Sequence, residues 1–78
     1  MLYITPAQKV TLIFIHNYTI ENGYPPSMQE MADDRGIAVN ASQEHVYALC
    51  NKKFIKKKKG KARSITFTAK GTKYLESL

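Results

Sequence analysis

The sequence predicts a mainly α domain with a small β-hairpin, and three observations carry that prediction. Helix-start signals recur at Thr5-Pro6-Ala7-Gln8, Ser27-Met28-Gln29-Glu30 and Asn40-Ala41-Ser42-Gln43. Further on, helical spacing gives way to alternation, with Ile65 and Phe67 separated by Thr66 and preceded by Ser64. Ten of the twelve basic residues lie between Lys52 and Lys73, a stretch without Asp or Glu.

The elements follow in order. After a short apolar lead, Met1 to Ile4, Thr5 caps a first helix, Pro6 suits its first turn and Gln8 completes a capping box. Val10, Ile13, Phe14 and the Asn17/Tyr18 position recur at helical spacing and predict its inner face. Asn22-Gly23 ends it, and Tyr24-Pro25-Pro26 is an extended connector, because a residue before proline avoids the helical region. Ser27 and Glu30 open a second, short helix that runs to about Arg35 and closes at Gly36. The Asn40 signal opens a third helix to about Lys52, with Val46, Leu49 and Cys50 inside and Gln43, Glu44, Tyr47 and Asn51 on other faces. Phe54 to Lys58 and Arg63 to Phe67 read as strands joined across Lys59-Gly60-Lys61-Ala62. Thr68 caps a last helix, on which Tyr74, Leu75 and Leu78 share a face. Helix, helix, helix, hairpin, helix is the order of a winged helix-turn-helix.

Seventy-eight residues allow a single domain, 1–78, with one thin core and a net stability on the order of 5 kcal/mol. One cysteine leaves no internal disulfide and fits a reducing compartment. There is no signal-peptide pattern, and the longest apolar run, Leu12 to Ile15, is too short for a membrane span. The expectation is a cytoplasmic, nucleoid-associated protein.

Charge narrows the function. The basic stretch carries +10 and the remainder −4, two basic against six acidic residues, which together make the formal +6. A concentrated positive field on a small domain is the electrostatic footprint of a protein that binds phosphate groups, such as those of nucleic acid.

The residues themselves resemble the N-terminal DNA-binding domain of the LexA repressor family. Gly23-Tyr24-Pro25-Pro26-Ser27 is similar to that family's Gly-x-Pro-Pro-Thr connector, and Glu30-Met31-Ala32 to its Glu-Ile-Ala. Asn40-Ala41, Glu44-His45-Val46 and Ala48-Leu49 resemble its recognition helix, and Ile55, Gly60, Arg63 and Ile65 fall at its wing positions. The likeness runs from Ile4 to Phe67, and the tail from Thr68 to Leu75 is closer to the final helix of other winged-helix regulators, such as the MarR group. Three departures stand out. The chain lacks room for the family's self-cleaving C-terminal domain, Arg35 replaces a leucine, and Lys53 stands where the family has a helix-ending glycine. A left-handed backbone at Lys53 would cost about 1 kcal/mol.

The resemblance implies a sequence-specific regulator of transcription, a repressor, that binds double-stranded DNA. The base-reading positions matched to the family are Asn40, Ala41, Gln43 and Glu44, with Tyr47 one turn on. Gln43 suits adenine, Glu44 a cytosine amino group and Ala41 a thymine methyl; a solvated helix start is the plainer reading of Gln43 and Glu44. Lys52, Lys56, Lys58, Lys59 and Lys61 suit the phosphate backbone, and Arg63 or Lys61 the minor groove. Lys57 falls at an apolar family position, where its stem can cover the core. The alternative is a winged-helix protein-interaction module, or a non-specific nucleic-acid binder using the basic wing. Because DNA sites are often read by two-fold pairs, Tyr74, Leu75 and Leu78 are candidates for a homodimer contact, and equally for covering the domain's own core.

Other chemistry finds no support. His16 and His45 lack companion ligands, Asp33-Asp34 lacks a nucleophile or third ligand, and Cys50 reads as a small buried residue. No phosphate-cradling glycine loop, nucleophile elbow or zinc spacing occurs. Neither an enzyme nor a cofactor is expected.

Overall fold

A computed structural model describes residues 3–61 and 63–78, which form four helices and one antiparallel hairpin. The helices are α1 (Pro6–Asn22), α2 (Met28–Arg35), α3 (Val39–Asn51) and α4 (Ala69–Glu76), and the strands β1 (Ile55–Lys56) and β2 (Thr66–Phe67) lie between α3 and α4. The architecture is a winged helix-turn-helix. Met1, Leu2 and Ala62 lie outside the described residues, so the start of the apolar lead and one residue of the expected wing turn do as well.

Local chemistry explains most boundaries. Thr5 and Gln8 make the predicted capping box, as do Ser27 and Glu30. At the end of α2, Gly36 is left-handed, and Ile37 N–H returns to Ala32 O at 3.0 Å. That return bond turns the chain directly into α3.

Two expectations need correction here. The helix α3 begins at Val39, not after an Asn40 cap; Ala38 is the N-cap, with no side-chain cap bond, and Asn40 lies in the first turn. The tight turn at Gly36 to Ala38 sets that start, and α3 is then held by burial of Ser42, Val46 and Leu49. On α1 the inner face is Thr11, Leu12 and Ile15, whereas Val10 is 44% exposed. Apolar residues surround α1, and Thr11 disguises the true stripe. Its hydroxyl donates to Ala7 O at 2.9 Å, which lets a polar side chain sit inside.

The core gathers Leu12, Ile15, Met31, Val46, Leu49, Phe54, Ile55 and Ile65, contributed by α1, α2, α3, β1 and the residues just before each strand. Cys50, Phe67, Tyr74 and Leu75 pack against it half-buried. The helix α4 docks through its N-terminus. Thr68 caps it by accepting Gly71 N–H at 3.0 Å, and Thr68 N–H donates to Phe54 O at 3.2 Å. The Gly71 backbone presses against Phe54 O so closely that a Cβ would lie 2.0 Å from it.

The strands are far shorter than the alternation predicts. Among the described residues only Ile55↔Phe67 and Lys56↔Thr66 pair. Beyond them Ser64 interrupts the ladder: its hydroxyl accepts Lys58 N–H at 3.1 Å and lies within donating reach of Lys61 O at 2.9 Å. Arg63 adopts a left-handed φ of 53°, which turns it out of a strand.

Candidate nucleic-acid interface

The residues expected to read bases occupy the solvent side of α3. Burial of Ser42, Val46 and Leu49 turns the opposite surface outward, where Asn40, Glu44 and Tyr47 are exposed in one line at helical spacing. Asn51 continues this line one turn further and is exposed too. The i, i+4, i+7, i+11 spacing of these four residues is visible in the sequence, yet Asn51 was not among the candidates. Ala41 and Gln43 flank the line, both half-buried.

The basic residues divide into two groups. Lys56, Lys58, Lys59 and Lys61 are exposed on the wing, and none of their ammonium groups has a hydrogen-bond or ion-pair partner among the described residues. Lys52, Lys57, Lys70, Arg35 and Arg63 instead bend back onto the protein. Lys52, half-buried, donates to Tyr3 O and to Gln8 Oε1, the latter at 2.6 Å. Lys57 spans the wing loop, with its ammonium 3.1 Å from Lys61 O, so it braces the wing instead of pointing away from it. Lys70 donates to Lys52 O at 2.8 Å and stacks over the Phe54 ring at 4.5 Å. Arg35, at the family's leucine position, reaches Ala7 O at 3.4 Å.

Arg63 is likewise engaged. Its Nη1 donates to Glu30 Oε1 at 2.8 Å and its Nη2 to Glu30 Oε2 at 3.0 Å, a bidentate pair. The Arg63 guanidinium, with help from the Ser27 N–H and the Tyr18 hydroxyl, holds the Glu30 carboxyl down to about 2, and the same pair pushes the Arg63 guanidinium up. Sequence reasoning saw Glu30 only as a helix-capping residue. Its second role was not readable, because Arg63 lies in another element and only the fold brings them together.

The wing and α3 face each other across a groove of about 280 Å³ lined by Tyr47, Cys50, Lys57, Lys59 and Gly60. Tyr47 and Lys59, well apart in sequence, thus share one surface. Burial pushes the Cys50 thiol up against the opposing effect of Lys57, which disfavours the reactive thiolate. Among the described residues, no three His, Cys, Asp or Glu side chains cluster to hold a metal, and no helix is long and apolar enough to cross a membrane.

The fold and this surface define a winged helix-turn-helix with a polar recognition strip beside a cationic wing. The sequence profile of the family described as LexA DNA binding domain matches residues 1–64, and the chain belongs to that family. It is 38% identical over 65 residues to a LexA repressor of Oleidesulfovibrio alaskensis, covering 83% of this chain and 31% of that protein. It is 40% identical over 65 residues to one from Thermotoga neapolitana, covering 83% of this chain and 33% of that protein. With a LexA repressor of Pseudomonas chlororaphis the identity is 41% over 66 residues, covering 83% of this chain and 33% of that protein. The chain therefore spans about a third of the length of these relatives.

Proposed function

We propose that this domain binds duplex DNA sequence-specifically and represses transcription by occupying an operator. The observation that carries the reading is the placement of a polar, exposed strip on α3 beside four exposed wing lysines that have no partner among the described residues. In this reading α3 enters the major groove, where base edges present distinct donor and acceptor patterns. Asn40, Ala41, Gln43, Glu44 and Tyr47 are the side chains offered to the bases, and Glu44 accepts from a cytosine amino group. Lys56, Lys58, Lys59 and Lys61 hold phosphates, which adds affinity without sequence information. The site of action is then the nucleoid in the cytoplasm, and no step is catalytic.

Binding of two copies to a two-fold operator belongs to the same proposal. Leu78, 59% exposed beyond the end of α4, supports a contact there, while Tyr74 and Leu75 are half-committed to the domain's own core. Sedimentation with and without operator checks this, and a strict monomer in both excludes it.

The main test is selection from random duplex DNA followed by a salt titration on the enriched site. The expected slope of log K against log[salt] lies between about −3.6, if the four exposed wing lysines alone meet phosphates, and about −5, if Lys52 and Arg63 leave their partners. No enriched motif, or a slope near zero, overturns the reading. An enriched RNA or acidic-protein partner in its place favours an interaction module.

A further inference from the structure

The position of the wing needs an explanation that its strands do not supply. Two ladder pairs end at Lys56 and Thr66, and Ile65 is anchored in the core, so residues 57–61, 63 and 64 are held by other contacts. Some are internal to the loop: Ser64 on the backbone of Lys58 and Lys61, and Lys57 on Lys61 O. These give the tip its shape but do not set its place relative to α3.

Arg63 ties the tip to the rest of the domain. Besides its two bonds to Glu30, its Nη1 donates to Pro25 O at 3.1 Å, and its guanidinium lies over the Tyr24 ring at 4.8 Å. Glu30 in turn accepts Ser27 N–H at 2.8 Å and the Tyr18 hydroxyl at 2.8 Å. One carboxylate therefore gathers α1, the α1–α2 connector, the start of α2 and the wing. Among the described residues this is the single ion pair. A bidentate guanidinium–carboxylate pair fixes orientation as well as distance, which a lysine ammonium cannot do.

We propose that Glu30 and Arg63 form a latch that sets the wing against the recognition helix, making the acidic Glu30 a positioning residue for DNA binding. The inference deepens the DNA-binding reading and rests on it. Arg63 acts here through the placement of Lys58, Lys59 and Lys61. The latch persists across ordinary pH: the Glu30 carboxyl, held to about 2 against an ordinary 4.5, stays ionised, and its contribution disappears only as pH falls through about 2.

Glu30→Gln separates this idea from simple electrostatics, because the two predict opposite signs. Losing a carboxylate adds one positive charge, which by itself tightens binding to a polyanion. Losing the latch weakens it. Glutamine keeps a side-chain oxygen for Ser27 N–H and so retains the helix cap. The experiment records amide ¹H–¹⁵N spectra of both proteins without DNA, then their affinities for one duplex of mixed sequence at fixed salt. The expected result is movement of the amides of residues 57–61 and 63–65, little change across residues 44–50, and affinity at least about fivefold weaker for the variant. Equal or tighter binding, or unmoved wing amides, overturns the latch. Wild-type protein that binds no DNA sinks the functional reading instead, while the spectra still judge the latch. If Glu30→Gln fails to fold, Arg63→Lys preserves both net charge and the α2 cap. It is expected to move the same amides and weaken binding, and wild-type behaviour there overturns the proposal.

Discussion

The recognition helix and the wing lie side by side but are held by different forces. Burial fixes α3, with Val46 and Leu49 fully enclosed, and apolar burial depends little on ionic strength. Among its described residues the wing has two ladder pairs, one ion pair and a set of lysine-to-carbonyl bonds. Its exposed charges are open to screening by salt. The difference teaches that one residue type performs two jobs here. Lys52, Lys57 and Lys70 bend inward and brace the backbone, while Lys56, Lys58, Lys59 and Lys61 have no partner among the described residues. A count of positive charge cannot distinguish them.

The largest expected effect comes from the point where the two regions are joined. Gly71→Ala replaces a helical glycine, a change that in an open helix stabilises by about 1 kcal/mol. Here the new Cβ would meet Phe54 O at 2.0 Å, and a backbone atom cannot swing aside. Either α4 or the residue that leads from α3 into the wing must move. The expected outcome is a loss of roughly 1–3 kcal/mol, large against a total on the order of 5. Denaturant melts check it, and a stabilised variant would show that α4 is not seated on Phe54.

Next come two substitutions that test whether α3 and the wing divide the work. Lys58→Ala should weaken binding to all sequences about equally and flatten the salt slope by about 0.9. Gln43→Ala should change the selected motif and leave the slope alone. The reverse pattern would mean that the two surfaces have exchanged roles. Lys57→Ala makes a useful control: its ammonium is committed to the wing loop, so it is expected to alter wing order more than the salt slope.

What the sequence revealed follows the same division. The caps Thr5, Ser27 and Thr68 and the ends at Gly23 and Gly36 were legible because each depends on neighbours in the chain. The stripe of α1 was not, since a hydroxyl at Thr11 hid one buried position and exposed Val10 imitated another. Alternation overstated the strands, because it cannot report that Ser64 and Arg63 take the backbone out of register. In the candidate site, the α3 face could be read from helical spacing. The Glu30–Arg63 pair could not, because it joins residues that only the tertiary fold brings together.

The smallest effect lies at the seam itself. Lys53 closes α3 with a φ of 70°, the left-handed region in which a side chain is strained. The surrounding bonds are those of a glycine-type helix end: Lys53 N–H donates to Cys50 O at 3.0 Å, and Phe54 N–H to Leu49 O at 3.0 Å. The buried Phe54 and Leu49 supply the accompanying apolar contact. The backbone therefore keeps the shape while the side chain bears the strain. Lys53→Gly relieves about 1 kcal/mol of strain but adds freedom to the unfolded chain that offsets about half or more of it, so the net gain expected is at most about 0.5 kcal/mol, a rise of no more than a few degrees in Tm. Lys53 is exposed and stands between the inward and outward lysines in the chain. An unchanged salt slope in the glycine variant assigns it to neither group. A slope flatter by about 0.9 adds it to the phosphate-holding set, and extends that surface from the wing back to the end of α3.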